Sequence, residues 1–246
     1  MKAVILGATS GMGRAVARLL AARGEQLFLL GRDEVELARS AADLAVRGGQ
    51  RPEPRYARCD LEEPTGFGPA LDAADQALND FDTVIVTAAM FASQDELEAD
   101  VALTRRLVTV NYANTVVFCE HVRQRLLSRG GGSLTVFSSV AGDRGRKSVG
   151  IYGSSKAGLS TYLEALDHRY HAAGLHVLCV KPGFVKTSMT AGLKAPPFAG
   201  EPEAVAVDVI RAIERRRPLV YSPSIWGFIM WVIRRLPRLV MRRVSF

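Results

Sequence analysis

The chain predicts an α/β fold, a doubly wound parallel sheet of about seven strands with helices on both faces. Three observations carry the prediction. Apolar strand-length runs alternate with helix-length amphipathic stretches. The first run, Lys2-Ala3-Val4-Ile5-Leu6, leads straight into the glycine-rich turn Gly7-Ala8-Thr9-Ser10-Gly11-Met12-Gly13. The glycine turn, Asp60, Ser139 and Pro182 each fall just past a predicted strand, so they converge on one rim of the sheet, where ligands of such folds bind. At 246 residues, with 48% apolar and 23% charged side chains, one globular domain with one large core is of ordinary size.

Strands are predicted at 2–7, 26–31, 55–60, 82–87, 132–138, 175–181 and 218–221. The first helix runs from Arg14 to Arg23, with Ala15, Val16, Leu19 and Leu20 facing inward. The longest later helices are predicted at 93–109, 110–128 and 150–173. One domain is read as 1–221, followed by a basic tail at 222–246. There is no internal repeat or low-complexity segment, and Lys2 runs directly toward the glycine turn with no secretory pattern. Cys59, Cys119 and Cys179 sit inside predicted elements, an odd and scattered set that suits buried thiols in a reducing compartment. His168 and His171 share a helix face without further ligands, so no metal is expected.

Glycines 7, 11 and 13 let backbone N–H groups approach an anion at the positive end of the first helix. The spacing Gly-x-x-x-Gly-x-Gly differs from the usual Gly-x-Gly-x-x-Gly dinucleotide fingerprint. A tight turn with packing glycines is the plainer alternative. Further along, Tyr152 and Lys156 stand four residues apart, on one face of a helix. A phenol ordinarily ionises near pH 10, and a cation beside it favours the phenolate. Such a tyrosine serves as an acid/base catalyst at neutral pH. Alone, the pair is more often a solvated lysine beside a half-buried tyrosine. Ser139, thirteen residues before Tyr152, and the glycine turn give it weight.

Together these motifs resemble the short-chain dehydrogenase/reductase family, over residues 1 to about 221. The resemblance implies a Rossmann-type NAD(P)-binding domain and carbonyl reduction. Gly7, Gly11 and Gly13, with Thr9, Ser10 and Met12 between them, match the phosphate loop. Asp60, followed by Leu61, matches the aspartate at the adenine ring. Ala88 and Ala89 stand in the segment after the fourth strand. Asn111 matches the asparagine that holds a proton-relay water. Ser139 matches the catalytic serine, and Tyr152 with Lys156 the acid/base pair. Pro182-Gly183, with Val185 and Thr187, matches the segment beside the nicotinamide. The implied chemistry is transfer of the pro-S hydride to a carbonyl whose oxygen is held by Ser139 and Tyr152. Lys156 binds the nicotinamide ribose and lowers the phenol pKa. Two positions depart from the pattern: Leu6 replaces a usual threonine, and Thr87-Ala88-Ala89-Met90 replaces Asn-Asn-Ala-Gly. The missing asparagines bear on local bracing and not on the chemistry, and they mark a divergent branch. A non-catalytic nucleotide-binding module needs the glycine loop but not the joint set of Ser139, Tyr152, Lys156 and Asn111.

Enzymes using NAD tend to place a carboxylate at the end of the second strand, on the ribose 2′-hydroxyl. Here Gly31 and Arg32 stand there. A guanidinium binds a 2′-phosphate in a fork, so NADP(H) is expected over NAD(H). A surface arginine at a helix start is the alternative.

The net charge of +7 resides in the C-terminal stretch that starts at Arg211 and includes the tail. Residues 211–246 hold nine arginines and one acid, Glu214, which is +8. Ile225-Trp226-Gly227-Phe228-Ile229-Met230-Trp231-Val232-Ile233 is too short to span a bilayer, which takes about twenty residues. Tryptophan, aliphatic bulk and arginine together suit an amphipathic basic helix in the interface of an anionic membrane. Docking on the domain or at a subunit contact is the alternative, and the apolar density argues against nucleic acid. The tail, with Ser139 to Arg146 and Pro182 to Met189, resembles the actinobacterial reductases of decaprenylphosphoryl 2-keto-pentose. That resemblance implies a lipid-linked keto-sugar substrate and a cytoplasmic enzyme at the inner membrane face. A soluble reductase of small or fatty-chain ketones is the other reading. Arg144, Arg146 and Lys147 lie between Ser139 and Tyr152, placed either to receive a phosphate or to form a solvated loop. Residues 186–200 are expected to form a mobile substrate lid. A homodimer or homotetramer pairing through 110–128 and 150–173 is what the family resemblance implies.

Overall fold

The computed structural model describes residues 1–49, 53–192 and 195–244. Seven strands form one parallel sheet in the order β3-β2-β1-β4-β5-β6-β7. They are β1 (Lys2–Leu6), β2 (Gln26–Gly31), β3 (Arg55–Arg58), β4 (Thr83–Val86), β5 (Gly132–Phe137), β6 (Leu175–Pro182) and β7 (Leu219–Ser222). Each lies within two residues at either end of its predicted range. Apolar alternation along each strand feeds two cores. Val4, Leu6, Phe28 and Leu30 face one side, and Ala3, Ile5, Leu27 and Leu29 the other, as the period of two requires.

Helices α1 (Gly11–Ala22), α2 (Glu34–Gly48) and α8 (Pro202–Glu214) cover one face through Val16, Leu20, Leu37, Leu44, Val209 and Ile210. Helices α3 (Phe67–Leu78), α6 (Thr115–Ser128) and α7 (Gly150–Tyr170) cover the other through Phe67, Leu71, Phe118, Val122, Leu159 and Leu163. The strand order reverses between β1 and β4, which opens a crevice at their carboxyl ends.

Helix 1 begins three residues earlier than predicted, because the glycine turn itself forms its first turn. The two helices predicted at 93–109 and 110–128 are divided elsewhere. The break falls at Asp100, between α4 (Gln94–Ala99) and α5 (Val101–Val108). Asp100 is extended and accepts from Ala102 N (2.8 Å) and Leu103 N (3.0 Å), so it caps α5. From α5 the chain continues through a π-helical turn, Thr109–Asn114, into α6 without interruption.

The tail forms two helices instead of one, α9 (Ile225–Arg235) and α10 (Arg238–Met241). Pro237 forces Leu236 into extended backbone (φ −64°, ψ 132°) and ends α9 there. Residues 193–194 of the expected lid and 245–246 of the tail lie outside the described residues. Within the lid region, Val185 bridges to Gly200, and Thr187 caps a short turn, Ser188–Thr190.

Candidate active site

A cleft of about 580 Å³ opens at the crevice, within the range of cofactor sites. Its floor is the glycine turn. Gly7 has φ +94°, and a Cβ on Gly13 would lie 2.1 Å from the Gly7 carbonyl oxygen. Only a residue without a side chain lets α1 start this close to β1. The first N–H groups of α1 receive no side-chain cap from Ser10, which leaves orphan donors at the positive helix end for an anion. A Cβ on Gly11 would lie 3.3 Å from Thr187 Cγ2, so the loop and the segment after β6 face each other across the cleft.

Gly7, Thr9, Ser10, Gly11, Met12 and Gly13 line this cleft, as do Arg32, Asp60, Leu61, Ala88, Ala89 and Thr187. Pro182, Gly183 and Val185 do not line it. The Val185 side chain is in the core, so only its backbone is free for a ligand. Asp60 Oδ1 accepts from Glu62 N (3.0 Å). The bracing that the usual asparagines provide comes from other residues. Thr87 donates its hydroxyl proton to the carbonyls of Leu6 and Gly7 (3.1 Å each). The Asn111 amide bonds Met90 twice, accepting from its N–H (2.7 Å) and donating to its C=O (2.8 Å). The Asn111 amide is therefore engaged in holding the loop after β4, from within the π-helical turn.

The loop after β5 lies tightly on α7. A Cβ on Gly142 would sit 2.7 Å from Ala157 N, and one on Gly153 2.7 Å from Ala141 O. This contact brings Ser139 to Tyr152. Ser139 Oγ accepts from Ala141 N (3.1 Å) and also lies beside the phenol. Lys156 is 2% exposed, with Nζ 5.9 Å from the Tyr152 ring centre. It donates one proton to the Phe137 carbonyl (3.0 Å), leaving two for other acceptors.

Charge behaviour differs from the sequence expectation. Burial pushes the Tyr152 phenol up to about 12, and the Ser139 hydroxyl opposes this only in part. Burial also pulls the Lys156 ammonium down to about 8. Desolvation outweighs the expected pull of the cation on the phenol. At neutral pH the phenol holds its proton and is a donor.

Sequence reasoning missed Phe91. Its ring meets the Tyr152 ring edge-on, 5.2 Å between centres, and it also lines the cleft. It therefore joins Tyr152 to the cleft. Its position just past β4, on the same rim as the other site residues, was the available signal. Gln94 was missed too. Its Oε1 accepts from Ile151 N (3.1 Å) and fixes the start of α7.

The tail is part of this end of the molecule. A Cβ on Gly183 would collide with the Trp226 ring, 2.1 Å from Nε1, so the indole lies flush against the segment after β6. Met230 of α9 is fully buried. Asp143, four residues past Ser139, accepts from Lys181 Nζ (2.6 Å) and Tyr221 OH (2.7 Å). The serine loop is thereby tied to β6 and β7.

The buried lysine gives a pH signature. The unfolded chain holds the Lys156 proton up to 10.5, the folded chain only to about 8. Between these values the unfolded state binds more protons, so stability rises with pH, by on the order of 3 kcal/mol in full. Below about pH 8 the cost of the buried charge is present in full. Urea unfolding at pH 7.5 and 9.5 should show the parent gaining on Lys156→Met as pH rises. An unchanged gap would remove the lysine from that role.

Residues 1–197 match the family model for short chain dehydrogenase. The chain is 33% identical over 241 residues to an uncharacterised oxidoreductase of Mycobacterium tuberculosis, covering 98% of this chain and 96% of the relative. It is 29% identical over 194 residues to the cis-4-hydroxycyclohexanecarboxylate dehydrogenase of Sinomonas cyclohexanicum, covering 78% and 76%. In fold it is similar to a short-chain type dehydrogenase/reductase from Mycobacterium ulcerans, with a TM-score of 0.81 at 23% identity, covering 89% and 86%. The chain belongs to the short-chain dehydrogenase family. It is an NAD(P)(H)-dependent oxidoreductase that interconverts CH–OH and C=O groups. The orphan donors of α1 and the glycine cradle fit the pyrophosphate of such a cofactor.

Proposed function

We propose that this protein is an NADPH-dependent carbonyl reductase acting on an amphiphilic or lipid-linked ketone, with a keto-sugar on a lipid carrier as the leading class. The observation that carries the reading is the grouping of Ser139, protonated Tyr152 and Lys156 one aromatic ring, Phe91, away from the glycine cleft. Bound NADPH supplies the hydride. Ser139 and Tyr152 hydrogen-bond the carbonyl oxygen, and Tyr152 donates its proton as charge develops there. Lys156 directs its remaining N–H groups to the ribose hydroxyls. Asn111 positions the loop after β4 through its amide and returns the proton through a water held by its backbone. Pro182, Gly183 and the Val185 backbone would flank the nicotinamide end, and the described residues of 186–200 would act as the lid. The test is NADPH oxidation against lipid-linked keto-sugars, sterol ketones and small ketones, with and without vesicles. Turnover confined to small ketones and indifferent to vesicles would sink the amphiphilic part.

The preference for NADPH is supported by the end of β2. Arg32 is exposed on the cleft rim. The nearest carboxylate in sequence, Asp33, is turned away and accepts from Val35 N and Glu36 N as the cap of α2. On the same rim, Glu62 is neutralised by Arg106 (2.6 and 2.8 Å). Arg32→Ala should raise the KM for NADPH about 10- to 100-fold, the loss of a charge-assisted pairing, and leave that for NADH nearly unchanged. Equal effects on both cofactors would remove Arg32 from the 2′-phosphate.

The tail is proposed to rest on the inner face of the cytoplasmic membrane. Among the described residues no helix is long and apolar enough to cross one. Phe228 (65% exposed) and Trp231 (54%) stack on the outer side of α9, with Arg235 4.0 Å from the Trp231 ring centre. Leu239 on α10 is 70% exposed. Apolar bulk edged by arginine suits anionic headgroups. Because Trp226 and Met230 are built into the domain, point changes are a cleaner probe than truncation. Phe228→Ser with Trp231→Ser should lower co-sedimentation with phosphatidylglycerol vesicles about tenfold or more. Unaltered co-sedimentation with a smaller oligomer would make this face a subunit contact instead. A homodimer or homotetramer through α6 and α7 completes the proposal.

A further inference from the structure

A second concave site lies beside the catalytic loops. It encloses about 380 Å³ and is lined by Arg144, Gly145, Lys147, Arg238, Met241 and Arg242. Four of the six are cations, and among the described residues no carboxylate lines it. None of the four pairs with an acid among the described residues. Arg144 donates to the Leu236 carbonyl (2.9 Å), just before α10, which fixes the wall contributed by α10 against the serine loop. The loop carries more uncompensated charge. Arg146 is partly buried, with its Nε lacking a partner among the described residues. Asp143 is already engaged by Lys181 and Tyr221.

Four like charges held around one hollow repel one another, and a doubly charged anion relieves that repulsion more fully than a single carboxylate. Guanidinium forks also match phosphate oxygens in geometry. We propose that this pocket binds a phosphate group, and that the phosphate belongs to the molecule whose carbonyl meets Tyr152. The proposal rests on the reduction reading above. Its walls support the link: Arg144 follows Ser139 by five residues, and Lys147 precedes Tyr152 by five. Five residues span at most about 18 Å, so one phosphorylated molecule can reach both places. The tail then supplies half of a substrate pocket, and the specificity of the site is for a phosphate-bearing ketone.

The test uses the full chain saturated with NADP⁺, so that the glycine loop is filled. Calorimetric titration with sodium pyrophosphate and with monomeric dihexanoyl phosphatidic acid is compared for the parent, Arg238→Gln with Arg242→Gln, and Lys147→Gln on the opposite wall. Binding to the parent, weakened about tenfold or more in the double variant and several-fold in Lys147→Gln, is expected. Tighter binding of pyrophosphate indicates a free phosphorylated ligand, and tighter binding of the phosphatidic acid a lipid headgroup. No binding to the parent, or equal binding to all three proteins, overturns the site. NADPH oxidation by the same proteins is read separately. Phosphate binding without any ketone turnover would refute the reductase reading and leave the anion site standing.

Discussion

Tyr152→Phe is expected to lower kcat for ketone reduction by about 10²- to 10⁴-fold, while the Kd for NADPH stays within about threefold of the parent. The substitution removes one oxygen and keeps the ring. The edge-on contact with Phe91 at 5.2 Å survives, and with it the wall shared with the cofactor cleft. What is lost is the proposed proton donor. The phenol is held protonated up to about 12 by burial, so at pH 7 nearly every molecule of the parent is competent to donate. Ser139 is a poor proton source, and Lys156 Nζ gives one N–H to the Phe137 carbonyl at 3.0 Å and lies 5.9 Å from the Tyr152 ring centre, so neither stands in the place of the phenol hydroxyl. Stopped-flow or steady-state NADPH oxidation measures kcat, and fluorescence titration measures cofactor binding. Retention of a tenth or more of the parent rate would end the assignment of Tyr152 as the acid.

Asp143→Ala is expected to destabilise the fold by about 3–5 kcal/mol, the cost of leaving one member of a buried ion pair alone. The Asp143 side chain is 1% exposed, and its two oxygens serve Lys181 and the Tyr221 hydroxyl. Alanine strands a mostly buried ammonium and a phenol. In a chain of this length the melting temperature should fall by about 10 °C. Asp143→Asn, which keeps an acceptor for Tyr221, should lose less. Because this carboxylate ties the serine loop to β6 and β7, the alanine variant should also turn over more slowly with cofactor affinity little changed. A loss below about 1 kcal/mol in urea unfolding would show that the cluster does not hold the loop.

Much of this was legible in the residues alone. The parallel sheet follows from the alternation of apolar runs and amphipathic helices. The glycine turn follows from its place at the end of the first run. Tyr152 and Lys156 were found by spacing, because residues four apart on a helix share a face whatever surrounds them, and Ser139 by the family resemblance. The division of 93–128 was misplaced because Asp100 works by accepting local N–H bonds, a signal weaker than the apolar period around it. One tail helix was expected and two are present, although Pro237 was in plain view.

Other features depend on contacts between segments far apart in the chain. Asn111 reaches Met90, Trp226 lies on Gly183, and Asp143 joins Lys181 and Tyr221. Nothing in local spacing encodes these meetings. The same holds for the sign of the Tyr152 shift. Local sequence places a cation near a phenol, which favours the phenolate. How far water is excluded from both groups is a property of the whole packed site, and there desolvation prevails. By itself, then, the sequence determined the sheet, the glycine turn and the pairing of Tyr152 with Lys156 on one helix face, since these depend on periodicity and short offsets. The tertiary structure alone decided their protonation, their bracing and the joining of the tail to the site, since burial and long-range contact are collective.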